Sequence, residues 1–166
     1  MKKFVRQLLS DRVLGMLDFY RFPQLRQAWG GPFNGQTFRQ KMFVELMDKI
    51  DFQAIFETGA FRGTTTDFMF SVSALPIYTV ESAERSYGFC LARFWNNQKV
   101  SVFLGDSRSF LDKQLRKPQF QNVPIFFYLD AHWYENLPLF EECEMILANN
   151  IQAAIAIDDF EVIGEP

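Results

Sequence analysis

Two periodicities divide the chain. Over residues 36–50, "QTFRQKMFVELMDKI", apolar side chains recur at helical spacing: Phe38, Met42, Leu46 and Ile50 fall on one face, with Phe43 and Met47 beside them. The stretch before it also reads as helical, broken by the turn-rich "GGPFNG" at 30–35. From residue 51 the pattern changes to short apolar runs separated by amphipathic segments. The runs are 52–58, 76–82, 99–106, 123–130 and 151–159, and the helical patterns between them cover 63–73, 83–97, 107–116 and 137–150. Continuous apolar runs belong to strands buried on both faces, and their alternation with helices predicts right-handed βαβ units in a parallel sheet.

The fold class expected is therefore α/β, a Rossmann-like doubly wound parallel sheet of order 3-2-1-4-5 with an N-terminal helical extension. Residues 1–50 form the extension and 51–166 the sheet domain. Doubly wound domains of this sort carry a sixth strand, and the fifth run would leave an apolar edge exposed, so a domain missing its C-terminal strands is expected.

Composition narrows the function. The chain has 166 residues with 20 Phe, which must largely fill a core, and a formal net charge of −3 with no basic stripe, which argues against a nucleic-acid partner. No apolar run is long enough for a transmembrane segment. The start, "MKKFVRQLLSDRVLGMLDF", is not read as a signal peptide, because Asp11 and Asp18 interrupt its apolar part and no cleavage pattern follows. The two cysteines, Cys90 and Cys143, fit reduced buried thiols and a cytoplasmic location. A single histidine, His132, excludes an iron site built on two histidines and any zinc site needing two.

Ligands of such sheets bind beyond the carboxyl ends of the strands. Every predicted strand ends in acid there: Glu57, Glu81, Asp106, Asp130, and the pair Asp158 and Asp159. Each could simply cap the next helix, but five in succession point to a site. The first turn, "ETGAFRGTTT", has Gly59 and Gly63 for a tight turn and lacks the glycine spacing of dinucleotide folds. Glu57 at its mouth disfavours a pyrophosphate and suits a ligand carrying positive charge. Glu81 follows the loop at about the distance (~20 residues) at which a carboxylate accepts ribose hydroxyls. Asp106 and Ser107 are placed to hold an adenine.

In this order, "ETGAFRGTTT", "YTVES", "FLGDSRSFL", "FFYLDAHWYENLPL" and "IAIDDFEV" resemble the motifs of class I S-adenosylmethionine-dependent methyltransferases. Within that class they are most similar to the metal-dependent macrocin-type sugar O-methyltransferases and their bacterial relatives. The resemblance spans roughly residues 30–166 and implies S-adenosyl-L-methionine as cofactor, held by Glu57, Thr58, Gly59, Phe61, Gly63, Thr64, Glu81, Ser82, Asp106, Ser107 and Asp130. The loop departs from the family at its middle glycine, which is Phe61 here.

In order 3-2-1-4-5 the fourth and fifth strands are neighbours about 4.8 Å apart, which brings Asp130, Asp158 and Asp159 together. Converging carboxylates need a cation, and all-oxygen ligation suits Mg2+, with manganese or calcium as alternatives. The resemblance implies the same ligand set. His132, just past Asp130, is the expected general base for an acceptor hydroxyl, and Trp133 and Tyr134 are candidates for the acceptor wall.

The function expected is O-methylation of a sugar, glycan or other small molecule with magnesium assistance, and the N-terminal helices are candidate homodimer contacts. The competing readings are a truncated or inactive cofactor-binding module and, disfavoured by the glycine spacing, a nicotinamide-dependent oxidoreductase.

Overall fold

A computed structural model describes residues 9–131 and 138–158. Ser10 caps helix α1 (Asp11–Arg21), its hydroxyl accepting from the Val13 N–H. Two short 3-10 turns, Pro23–Gly30 and Pro32–Gly35, lead to α2 (Thr37–Lys49). Then follow β1 (Ala54–Thr58), α3 (Thr64–Ser73), β2 (Ile77–Glu81), α4 (Glu84–Arg93), β3 (Val100–Leu104), α5 (Ser107–Leu115), β4 (Pro124–Leu129), α6 (Leu139–Leu147) and β5 (Gln152–Ile157).

The strands form one parallel sheet of order β3-β2-β1-β4-β5, as the alternation predicts. Each predicted strand is present, shortened by a residue or two at its ends. The helix predicted over 83–97 stops early, at Arg93. There the chain turns so that the Lys99 N–H can bond the Asn97 side chain.

Side chains alternate across the sheet and build two cores. Ile55, Phe126 and Tyr128 point to one face with Phe33, Phe43 and Met69, while Phe56, Phe127 and Leu129 point to the other with Phe110, Leu111 and Ile146. The phenylalanines interlock edge to face, Phe43 on Phe126 at 5.2 Å and Phe56 on Phe120 at 5.0 Å. Such contacts add to area burial and leave rings few alternative packings.

The face that α2 presents differs from the one its periodicity suggests. Phe43 is buried with Leu46 and Met47 against the first core, whereas Phe38 is 77% exposed and Met42 and Ile50 are partly exposed. Two adjacent apolar stripes compete on this helix, and only the docked partners choose between them. Helix α1 packs on α4 through a reciprocal glycine contact. A Cβ at Gly15 would lie 1.9 Å from the Arg85 carbonyl oxygen, and one at Gly88 would lie 2.0 Å from that of Arg12. Asp18 and Arg85 pair beside this crossing. No helix among the described residues is long and apolar enough to cross a membrane.

Candidate functional site

The carboxyl ends of β1, β2 and β3 open into a cavity of about 620 Å³, within the usual range for small-molecule sites. Glu57, Gly59, Phe61 and Thr64 line it from the first strand and loop, Glu81 and Ser82 from the second, Asp106 and Ser107 from the third, and Asp130 from the fourth. Two expected contact residues do not line it. Thr58 is fully buried, and its hydroxyl donates to Glu142 of α6 at 3.4 Å. Gly63 starts α3 at φ +70° and lies so near the Phe94 ring that a Cβ would meet it at 2.6 Å. Alternation along β1 turns Thr58 away from the cavity, and Gly63 serves the loop's packing.

The acidic residues differ in their surroundings. Glu57 is 1% exposed and accepts hydrogen bonds from the hydroxyls of Thr66 at 2.5 Å and Thr79 at 2.6 Å. Burial raises its pKa to about 7, against the pull of both hydroxyls and with help from the Glu81 charge. Glu81 accepts the Phe61 N–H with one oxygen and the Ala83 N–H with the other, both at 2.7 Å, so it fastens the glycine loop to the turn after β2. Burial raises its pKa as well. The Ser82 N–H and hydroxyl also donate to this carboxylate.

Asp106 caps α5, accepting from the backbone of Arg108 and Ser109, and it pairs with the Arg108 guanidinium, which holds its pKa below the usual carboxylate value. The capping role that any strand-end aspartate can play is thus occupied here. A strand-end aspartate that caps a helix and one that binds a ligand share the same sequence pattern.

Phe61 stands where the resembling family has glycine, and the backbone shows why glycine is usual. Phe61 sits at φ +48°, a left-handed conformation that disfavours a side chain. Its N–H bond to Glu81 and the Cys90 thiol donating to its carbonyl at 3.2 Å hold it there. The ring carries the Arg62 guanidinium 4.7 Å above it and faces Trp29 across 6.3 Å.

The far wall comes from the N-terminal segment, which the periodicity marks only as a helical extension broken by a turn. Ala28, Trp29, Gly31 and Asn34 all line the cavity. Six residues here, Trp29, Gly30, Gly31, Phe33, Asn34 and Gly35, have positive φ. The glycine-rich "GGPFNG" signals such a turn, but nothing in it says what the turn covers.

Asp158, just after β5, departs furthest from expectation. Asp158 is buried, with its carboxylate ion-paired to Arg39 of α2. Its Oδ2 also accepts from the Tyr128 hydroxyl at 2.9 Å and the Asn34 amide at 2.8 Å. Asp158 is not among the cavity-lining residues, and a divalent cation placed on it would face a guanidinium. The expected ligand therefore does not fit magnesium. Among the described residues no group of three His, Cys, Asp or Glu is placed to hold a metal. Asp159 and His132 lie outside the described residues, as do Trp133 and Tyr134.

No protein-family model matches the sequence, and no curated protein is significantly similar to it. Solved structures are similar in shape. A Podospora anserina methyltransferase bound to S-adenosylhomocysteine superposes with a TM-score of 0.60 at 14% identity, over 90% of this chain and 62% of its own. The O-methyltransferase TomG of Streptomyces achromogenes, involved in tomaymycin synthesis and solved with S-adenosylmethionine, gives 0.57 at 19% identity, over 72% of this chain and 54% of its own. The fold is that of the S-adenosylmethionine-dependent methyltransferases. The chain spans 62% and 54% of these two structures, somewhat more than half of each.

Proposed function

We propose that this chain binds S-adenosyl-L-methionine and transfers its methyl group to a hydroxyl oxygen of a sugar or another small molecule. One observation carries the reading: three successive parallel strands deliver Glu57, Glu81 and Asp106 to a single cavity under a glycine loop. The likeness of the fold to methyltransferases solved with this cofactor and its product supports it.

In this reading the loop at Gly59 lets the methionine portion approach the backbone. Glu57 faces the ammonium and sulfonium charges, Glu81 accepts from the ribose hydroxyls, and Ser107 with Asp106 borders the adenine. The acceptor oxygen attacks the methyl carbon in line, the carbon–sulfur bond breaks toward a neutral thioether, and His132 takes the hydroxyl proton. Positioning supplies much of such a rate. No step is routed through magnesium, because Asp158 is already neutralised by Arg39.

Calorimetry with S-adenosylmethionine, S-adenosylhomocysteine and NAD tests the cofactor. The first two should bind and NAD should not, and tighter binding of NAD would falsify the reading. Glu81→Ala should weaken cofactor binding by roughly 1.5–3 kcal/mol for each charged hydrogen bond lost. Transfer of a labelled methyl group to a panel of hydroxylated acceptors, with His132→Ala as the control, then tests the reaction.

A further inference from the structure

The cavity wall that the sequence did not reveal hangs on one buried carboxylate. Asn34 lines the cavity and donates to Asp158 at 2.8 Å. Asp158 in turn is fixed to the sheet by the Tyr128 hydroxyl at 2.9 Å and to α2 by Arg39. Its side chain is fully buried, while that of Arg39 keeps 24% of its surface exposed. A buried carboxylate without a positive partner is very costly, so the guanidinium is the reason this aspartate can stay charged there. The strand end, α2 and the turn between Trp29 and Asn34 therefore meet at one charge pair.

We propose that Arg39 and Asp158 form a buried clamp that holds the Trp29–Asn34 turn as the wall of the cofactor cavity. Arginine supplies at Asp158 the positive charge that the family resemblance assigns to magnesium. The proposal rests on the reading of the cavity as a cofactor site. Elsewhere the turn is held by the Gln40 side-chain amide, which donates to the Pro32 carbonyl at 3.0 Å, and by its own Gly35 N–H on the Gly31 carbonyl at 3.3 Å, and neither bond reaches the Asn34 side chain. Trp29 and Asn34 sit at φ +53° and +54°, which side chains disfavour, and Trp29 is 73% exposed. The Phe33 side chain is sunk in the first core, and its N–H donates to the Thr65 hydroxyl at 3.0 Å, so that residue serves as the hinge side of the wall. Asn34 is the tip that the clamp catches. Arg39 and Asp158 are positioning residues in this account and touch no cofactor.

The experiment compares wild-type protein with Arg39→Met, which keeps the stem and removes the charge, Asp158→Asn, which keeps the shape, and the double variant. Asn34→Asp is the surface variant. It tolerates positive φ, leaves the core untouched and sets a second carboxylate against Asp158. Two quantities are read well below the melting temperature: S-adenosylhomocysteine affinity, and the part of the tryptophan emission that Trp29→Phe removes. Melting is followed with magnesium and with a chelator.

If releasing the clamp leaves the wall closed about a tenth of the time, affinity falls about tenfold. Arg39→Met, Asp158→Asn and Asn34→Asp should all show that loss together with altered Trp29 emission. The double variant should be no worse than its weaker-binding parent, because the pair acts as one unit. A merely structural pair would lower the melting temperature and leave the affinity of the folded protein unchanged, and that result overturns the proposal. So does a wild-type melting temperature that rises with magnesium and falls with chelator, since a cation would then be neutralising the rim. Should the core variants fail to fold, Asn34→Asp decides alone by the same two readings. If wild-type protein binds no S-adenosylhomocysteine, the cofactor reading fails; if it binds and the variants bind equally, only the clamp fails.

Discussion

Replacing Glu57 by glutamine should make the protein more stable and a poorer cofactor binder. The carboxylate is 1% exposed, and one oxygen accepts from both Thr66 and Thr79. Glutamine's carbonyl can accept both bonds, so the substitution removes a buried charge and little else. The folded carboxyl titrates at about 7 and an unperturbed one at 4.5, with burial as the main cause. The folded state therefore holds its proton through a range in which the unfolded state has lost it, and stability falls as pH rises. The full contribution is present below 4.5 and is lost as pH passes through about 7. At about 1.4 kcal/mol per tenfold change in proton affinity, the whole cost of ionisation is about 3 kcal/mol, an upper figure for one group. Urea denaturation should thus find Glu57→Gln more stable than wild type by up to ~3 kcal/mol at about pH 8, with the gap closing at about pH 5. Binding should move the other way at the higher pH. Losing a charged partner costs roughly 1.5–3 kcal/mol, or about 10–100-fold in S-adenosylmethionine affinity. The loss should be smaller for S-adenosylhomocysteine, whose sulfur is neutral. A stability difference that is equal at both pH values would refute the account of the buried charge. An unchanged affinity would remove Glu57 from the cofactor's surroundings.

Two glycines offer sharper structural tests. At Gly59, φ is +83° and a Cβ would lie 2.4 Å from the Asp130 carbonyl oxygen, so Gly59→Ala must push two loops apart. It should cost roughly 2–4 kcal/mol in denaturant unfolding and weaken S-adenosylhomocysteine binding, and a wild-type midpoint would contradict the close approach. Gly15→Ala should gain roughly 0.5–1 kcal/mol from helix propensity yet lose more, because the Arg85 carbonyl blocks the new methyl group. A net rise in melting temperature would show that α1 does not seat on α4 this closely.

Much of this architecture is legible in the residues. Strands buried on both faces are apolar over most of their length, as "AIF" at the start of β1 and "PIFFYL" are, and their alternation with helical segments leaves a parallel sheet as the economical arrangement. Because parallel strands all end on one rim, the acids that close them come together wherever the order places those strands side by side. That much needs only sequence and topology. What it leaves open is the local competition for each acid. Asp106 caps a helix, Glu81 fastens two loops and Asp158 meets an arginine, and a strand-end carboxylate reads the same in all three cases. Arg39 and Asp158 are far apart along the chain, as are Gly15 and Gly88, and neither pairing has a periodic signature. Such partners are chosen by the docking of whole helices, which depends on shape and charge summed over many side chains. The N-terminal wall of the cavity belongs to the same class. Its glycines and Asn34 announce a turn, but only the packing of Phe33 into the core and the hold of Asp158 on Asn34 bring that turn over the carboxyl ends of the strands.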